Sequence, residues 1–179
     1  MLAIILPIIG AILASGVLYA WMLPPQWRVE ERISIQAPQE LLYDYVNFLP
    51  NWEQWTIWNK REDENFIFHY LGAESGVGAQ QCWKNGKQYG SVKITDANSP
   101  EGIDYILVFS HANSHMKGTF AFLPRGGTTE VVWCMYGDAG NSPYKKVLAK
   151  VLMGYVHRDC ARGLKQLKKI MEADLAVSP

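Results

Sequence analysis

SPYKKVLAKVLMGYVHRDCARGLKQLKKIMEA, residues Ser142–Ala173, decides the fold. Ser142-Pro143 is a helix start: a hydroxyl to cap free N–H groups, then proline at the first helical position. In the second half, Val156, Cys160, Gly163, Leu164, Leu167 and Met171 share one face. Arg158, Arg162, Lys165, Lys168 and Lys169 share the other. A helix so divided lays its apolar stripe on a larger surface. The first half reads differently. Tyr144, Val147, Leu148, Val151, Leu152 and Tyr155 form a second stripe, rotated by roughly 140° at about 100° per residue. One surface does not bury both. The pattern predicts a bend near Gly154, a wide contact inside a concave sheet, or a second partner for the first half: a lid, another subunit or a membrane.

The preceding chain supplies strands. Val29, Glu31, Ile33 and Ile35 alternate with Arg28, Glu30, Arg32 and Ser34, the period-2 pattern of a half-buried strand whose inner face carries one carboxylate. Ala37-Pro38 starts a short helix with Leu41, Leu42, Tyr45, Val46 and Leu49. Trp52, Trp55 and Trp58 follow at spacing three, as a core plug or a pocket rim. Strands are then expected at 65–71, 79–84, 89–95, 103–110, 116–123 and 129–136, with Asn85-Gly86 as a hairpin turn. Phe120, Phe122, Trp133 and Met135 mark the bulky faces of the last two strands. Gly163, mid-stripe on the long helix, leaves room opposite them at a cost of about 1 kcal/mol against Ala. That predicts a tapered cavity between sheet and helix.

The other end of the chain is a separate unit. Residues 2–23 carry no charge, long enough for a bilayer core of ~30 Å, which takes about 20 residues. Trp21, Pro24, Pro25 and Trp27 follow, as an interfacial aromatic belt and a helix stop do. A cleaved signal peptide is the rival reading. It lacks a basic n-region here, and the apolar run exceeds the usual length of about 7–15 residues. The expectation is a transmembrane anchor over 1–25 and one domain over 26–179, single-pass, in a bacterial inner membrane. Arg28 and Arg32 interleave with Glu30 and Glu31, so the flanking charges carry no orientation signal.

The 179 residues balance 17 basic against 17 acidic side chains, which gives no electrostatic case for nucleic acid. Cys82, Cys134 and Cys160 are far apart and odd in number, with no Cys-x-x-Cys; they read as small buried hydrophobes. Seven Trp and nine Tyr suit a packed core or a lined cavity. Catalytic signatures are weak. Gly76-Val77-Gly78 lacks the third glycine and the following helix of a dinucleotide loop. His111 and His115 flank a polar turn without a third ligand, so no metal is expected. His69 alternates with Ile67 and Leu71 and reads as an inward histidine, a core residue or a polar actor on a ligand. His69 and His115 are the only, weak, catalytic candidates. No cofactor is expected.

Several segments in order resemble one family: Ile35-Gln36-Ala37-Pro38, Tyr43-Asp44-Tyr45-Val46, Asn51-Trp52-x-x-Trp55-x-x-Trp58, Ser75-Gly76-Val77-Gly78-Ala79, Trp83-x-Asn85, Ile103-x-Tyr105-x-Leu107-x-Phe109, Trp133-x-Met135-x-Gly137-Asp138 and Gly163-Leu164-x-x-Leu167-Lys168. Together they look like the polyketide cyclase/dehydrase branch of the START-like (SRPBCC, Bet v 1-like) superfamily. The resemblance implies an α+β helix-grip fold: about seven antiparallel strands wrapped round a long C-terminal helix, with two short helices after the first strand. It implies a cavity for lipids or other apolar small molecules. The lining is expected from Trp55, Trp58, Trp83, Phe109, Phe120, Trp133, Tyr155 and Gly163. A membrane-anchored binding domain is the leading expectation. A cyclase, dehydratase or hydrolase on an apolar substrate is the second, and an interaction protein with a collapsed cavity the third.

Overall fold

The computed structural model describes residues 2–110 and 114–177. His111 lies outside the described residues. After an N-terminal helix, α1 (Leu2–Met22), come β1 (Gln26–Ile35), α2 (Gln39–Asn47), a single 3-10 turn and the short α3 (Trp52–Trp55). Six strands follow: β2 (Phe66–Leu71), β3 (Gln80–Asn85), β4 (Gln88–Asn98), β5 (Gly102–Phe109), β6 (Ser114–Arg125) and β7 (Thr128–Asp138). The long helix α4 (Pro143–Val177) ends the chain. The sheet order is β1-β7-β6-β5-β4-β3-β2, antiparallel throughout. This is the helix-grip architecture.

Three inward positions pair an aromatic residue directly with a glycine on the neighbouring strand: Trp27 with Gly137, Trp83 with Gly90, and Tyr105 with Gly118. A Cβ at these glycines would stand 2.2, 2.4 and 2.0 Å from the ring opposite. Each ring therefore lies flat on backbone that only glycine leaves bare. Ring contact compensates for the packing that a strand glycine lacks.

The core sits between the sheet and the second half of α4. Cys160, Leu164, Leu167 and Met171 are all buried, against Ile35, Trp55, Trp133 and Met135. Fully burying each leucine contributes about 1.5–3 kcal/mol. α2 closes one end: Gln39 Nε2 donates to the Phe122 carbonyl at 2.8 Å, and the Tyr43 ring meets Phe122 edge-on at 6.3 Å. Glu31, the carboxylate on the inner face of β1, lies 2.7 Å from His157 Nδ1 on α4.

Three expectations need correction: the places of Tyr155, His69 and His115. α4 runs as one continuous helix through Gly154. Its inward residues are one series, Lys146, Ala149, Met153, Val156 and Cys160, continuing into the buried stripe. The apolar stripe of the first half, Tyr155 included, is exposed. His69 faces outward with Ile67 and Leu71, while Phe66 and Phe68 turn in. β2 is an edge strand with apolar residues on both faces, so alternation alone does not say which is inner. His115 is likewise exposed, on a β6 whose inner residues are Met116, Gly118, Phe120 and Phe122. Among the described residues no helix is long and apolar enough to cross a membrane. The side chains described in α1 begin at Ile8 and omit Ala11 and Leu13, so part of the expected span lies outside them.

Candidate functional site

The expected lining residues divide into two groups. Trp55, Phe120 and Trp133 are at most 2% exposed and fill the space between sheet and helix. Phe120 stacks on Trp133 with centroids 4.8 Å apart. Trp55 meets Trp133 and Phe120 edge-on at 5.4 and 5.8 Å. The room expected at Gly163 is taken by these indoles. A Cβ there would touch Trp133 Cζ3 at 3.2 Å and Trp55 at 3.6 Å. The glycine lets the rings pack closely against the helix. Deeper still, Trp133 Nε1 donates to the Tyr105 hydroxyl at 2.7 Å, satisfying both polar groups inside an apolar cluster. Burial pushes the Tyr105 phenol far above its ordinary range, the bond from Trp133 opposing it.

Trp58, Trp83 and Phe109 belong to the second group. With Phe66, Tyr89 and Leu148 they line a groove of about 400 Å³ between β2–β5 and the first half of α4. The Phe109 ring stands edge-on to Trp83 at 5.5 Å and to Trp58 at 6.4 Å. Trp83 lies flat on Gly90 and forms part of the wall. Asn85, Gln88 and Ser110 supply the polar lining. Behind Trp58 and Trp83 only about 10 Å³ remains empty, roughly the space of one water. The two indoles thus separate an open groove from a filled core. A volume of 400 Å³ falls within the usual range for small-molecule sites, about 300–1,000 Å³. A comparable depression, about 470 Å³, lies by Leu49, Tyr70 and the 72–74 loop. α4 contributes nothing to it, and it has no aromatic cluster.

The groove rim is pinned. Asn85 Nδ2 donates to Asp63 Oδ2 at 2.6 Å, and the backbone N–H of Asn65 donates to Asp63 Oδ1 at 3.0 Å. The bond from Asn85 first, then those from Asn65, hold the Asp63 carboxyl below its usual range. The loop carrying Trp58 is thereby tied to the β3–β4 hairpin. Of the other expected residues, Tyr155 is 54% exposed with Arg158 over its ring at 4.7 Å, outside the groove. His69 and His115 do not line it. Among the described residues no group of His, Cys, Asp or Glu could hold a metal ion.

Sequence reading missed Phe66, Tyr89, Asn85, Gln88 and Ser110. The signal was present in Phe66-x-Phe68 and in a tyrosine just after the Asn85-Gly86 turn. It lacked the register that brings hairpin and helix together.

A sheet gripping a long helix, with an aromatic groove at one end, defines a class of ligand-binding and small-molecule-processing domains. This chain belongs to the polyketide cyclase/dehydrase and lipid transport family, whose pattern matches residues 26–172. The fold recurs in a protein from Chromobacterium violaceum: TM-score 0.57, 17% identity, covering 83% of this chain and 99% of that one. It recurs in the Aha1 dimer from Colwellia psychrerythraea: TM-score 0.58, 14% identity, 82% and 96% covered. It is also that of Ara h 8.0201: TM-score 0.57, 13% identity, 84% and 98% covered. At these identities the likeness is one of fold. No curated protein matches the chain.

Proposed function

We propose that this protein binds an apolar small molecule or lipid in the groove bounded by Trp58, Trp83, Phe109 and Leu148, held at a membrane by α1. The groove carries the reading. Its wall is aromatic, its polar groups are few and at the rim, and it is continuous with solvent rather than sealed. A flat ring system or an acyl chain suits such a wall, because rings offer large contact area with little loss of side-chain entropy. Trp58 and Trp83 limit how deep a ligand reaches. The ligand therefore lies along the groove instead of being swallowed between sheet and helix.

The anchor rests on the uncharged run 2–23 and on the surface of α1. Ile8, Ile9, Ile12, Val17, Leu18 and Trp21 are each between 48% and 68% exposed. A helix apolar all round, with these side chains exposed, calls for an apolar solvent. The site would then sit beside the bilayer, in bacteria the inner membrane, that holds its ligand. Carbonate extraction of membranes tests the anchor: the chain stays in the pellet if α1 spans, and is released if it does not.

The groove is tested on the full chain in mild detergent. Native and then denaturing mass spectrometry reads what co-purifies, and a fluorescent apolar dye is titrated. Stoichiometric binding, weakened at least tenfold by Phe109→Ala or Leu148→Glu with the circular dichroism unchanged, supports the reading. A chain that carries no ligand and binds no dye, or binds equally well after both substitutions, overturns it.

A further inference from the structure

The outer stripe of the first half of α4 is unexplained by the groove alone. Tyr144, Val147, Leu148, Val151, Leu152 and Tyr155 are between 42% and 75% exposed. Their combined apolar area is on the order of several hundred Å², as large as the largest patch of a typical soluble monomer. The patch is sharply bounded. The next outward positions are Arg158 and Arg162, and Arg162 pairs with Glu62 at 3.0 Å. The stripe thus ends where α4 settles on the sheet.

Two further observations indicate what covers it. Residues 143–158 carry Lys145, Lys146, Lys150 and Arg158 and no acidic residue, in a chain of zero net charge. The stripe also stands next to the end of α1. Lys146 Nζ donates to the Trp21 carbonyl at 3.1 Å. Lys150 Nζ contacts the Tyr19 hydroxyl and lies 5.1 Å from that ring's centroid. Tyr19 and Trp21 are the aromatic residues of α1 suited to a headgroup layer.

We propose that the first half of α4 docks on an anionic lipid bilayer. Its apolar stripe lies at the boundary between headgroups and acyl chains, and Lys145, Lys150 and Arg158 reach the lipid phosphates. This rests on the reading of α1 as an anchor, which sets the level of the headgroups. Leu148 belongs to both the stripe and the groove, so the groove mouth opens onto lipid rather than water. An apolar ligand would pass from bilayer to groove without crossing solvent. A second copy of the chain fits the stripe poorly, because a two-fold contact would set four basic side chains against four.

The full chain, in a Cys82→Ser background, is reconstituted in phosphatidylcholine vesicles containing one quarter phosphatidylglycerol. Nitroxide labels are placed singly at Leu152→Cys on the stripe, Lys165→Cys on the exposed basic face, and Ile12→Cys in α1. Collision rates with oxygen and with a water-soluble nickel chelate report depth. The proposal expects the label at 152 to meet nickel several-fold less than the label at 165, and oxygen several-fold more. It expects that contrast to shrink when Lys145, Lys150 and Arg158 are all changed to Glu. If 152 behaves like 165 while 12 remains shielded from nickel, the anchor stands and the docking is refuted. If 12 itself meets nickel freely, the anchor fails and the docking with it. Spin–spin broadening at 152 that vanishes on dilution with unlabelled chain would assign the stripe to a second copy, and also refute the docking.

Discussion

Replacing Gly118 by Ala tests the packing that fills the core. The new Cβ would stand 2.0 Å from Tyr105 Cζ and 2.2 Å from its hydroxyl oxygen, against about 3.5 Å for ordinary carbon contacts. The ring must lift from the sheet by more than 1 Å. Its neighbours resist the move: Trp52 stands edge-on at 5.2 Å, Phe120 lies at 6.0 Å, and those two rings meet each other at 5.7 Å. Overpacking of this kind costs about 1–3 kcal/mol. The displaced hydroxyl also leaves the Trp133 N–H, at 2.7 Å in the native packing, without its acceptor, adding about 1–3 kcal/mol. The sum, about 2–6 kcal/mol, is read from urea unfolding of the full chain in mild detergent by near-ultraviolet circular dichroism. Combining Gly118→Ala with Tyr105→Leu should recover about 1 kcal/mol or more of that loss. A change below about 0.5 kcal/mol for Gly118→Ala, with no coupling to Tyr105, refutes the account of ring on glycine.

Trp133→Ala should cost about 3–5 kcal/mol of stability yet leave dye binding in the groove within about twofold, because Trp133 is walled off behind Trp58 and Trp83; equal loss of binding would mean the core and groove are one cavity. Gly90→Ala sets a Cβ 2.4 Å from Trp83 Cζ2 and should raise that indole into the groove, weakening dye binding more than tenfold for about 1–3 kcal/mol of stability. Thiol alkylation followed by mass spectrometry at pH 8 should mark Cys82 first, since Cys160 is buried and burial pushes its thiol up to about 12; Cys160 reacting at a comparable rate in the folded chain would contradict the packing. The Glu172 carboxyl is held below the ordinary glutamate range, first by the backbone N–H of Gln36 and then by Lys168. A depressed carboxylate stabilises above its unfolded pKa, so the stability gap between wild type and Glu172→Ala should be full above about pH 5 and close as the pH falls through the folded pKa.

The strands and helices were legible because each obeys one period. β7 alternates Thr129, Val131, Trp133 and Met135 inward, all buried, and the second half of α4 keeps its stripe. The anomaly in the first half was visible too. Its cause was not, because a mismatch of stripes does not say which one the sheet takes. β2 was ambiguous for a plain reason: Phe66 and Phe68 face one way, Ile67 and Leu71 the other, and no helix covers an edge strand's outer face. Gly163 misled because a missing side chain looks like space from one strand of sequence. The space belongs to whatever faces it, here two indoles. The ring–glycine pairs escaped notice for the same reason. Trp83 with Gly90 and Tyr105 with Gly118 are neighbours only through register.

β1 has a single neighbour in the sheet, β7, which joins Gln26 to Asp138 and Ile35 to Thr129. Every other strand pairs with one next to it in the chain. During synthesis at about 5–20 residues per second, β1 therefore waits on the order of 5–20 s for its partner while the meander from β2 onward assembles without it. Closing so long a loop is the slow step that this topology imposes. Through that interval the strand presents unpaired N–H and C=O groups, the hazard of any bare edge. Arg28, Glu30 and Arg32 alternate along its outward face, joined by ion pairs. Charges so placed discourage association with other nascent chains until β7 arrives.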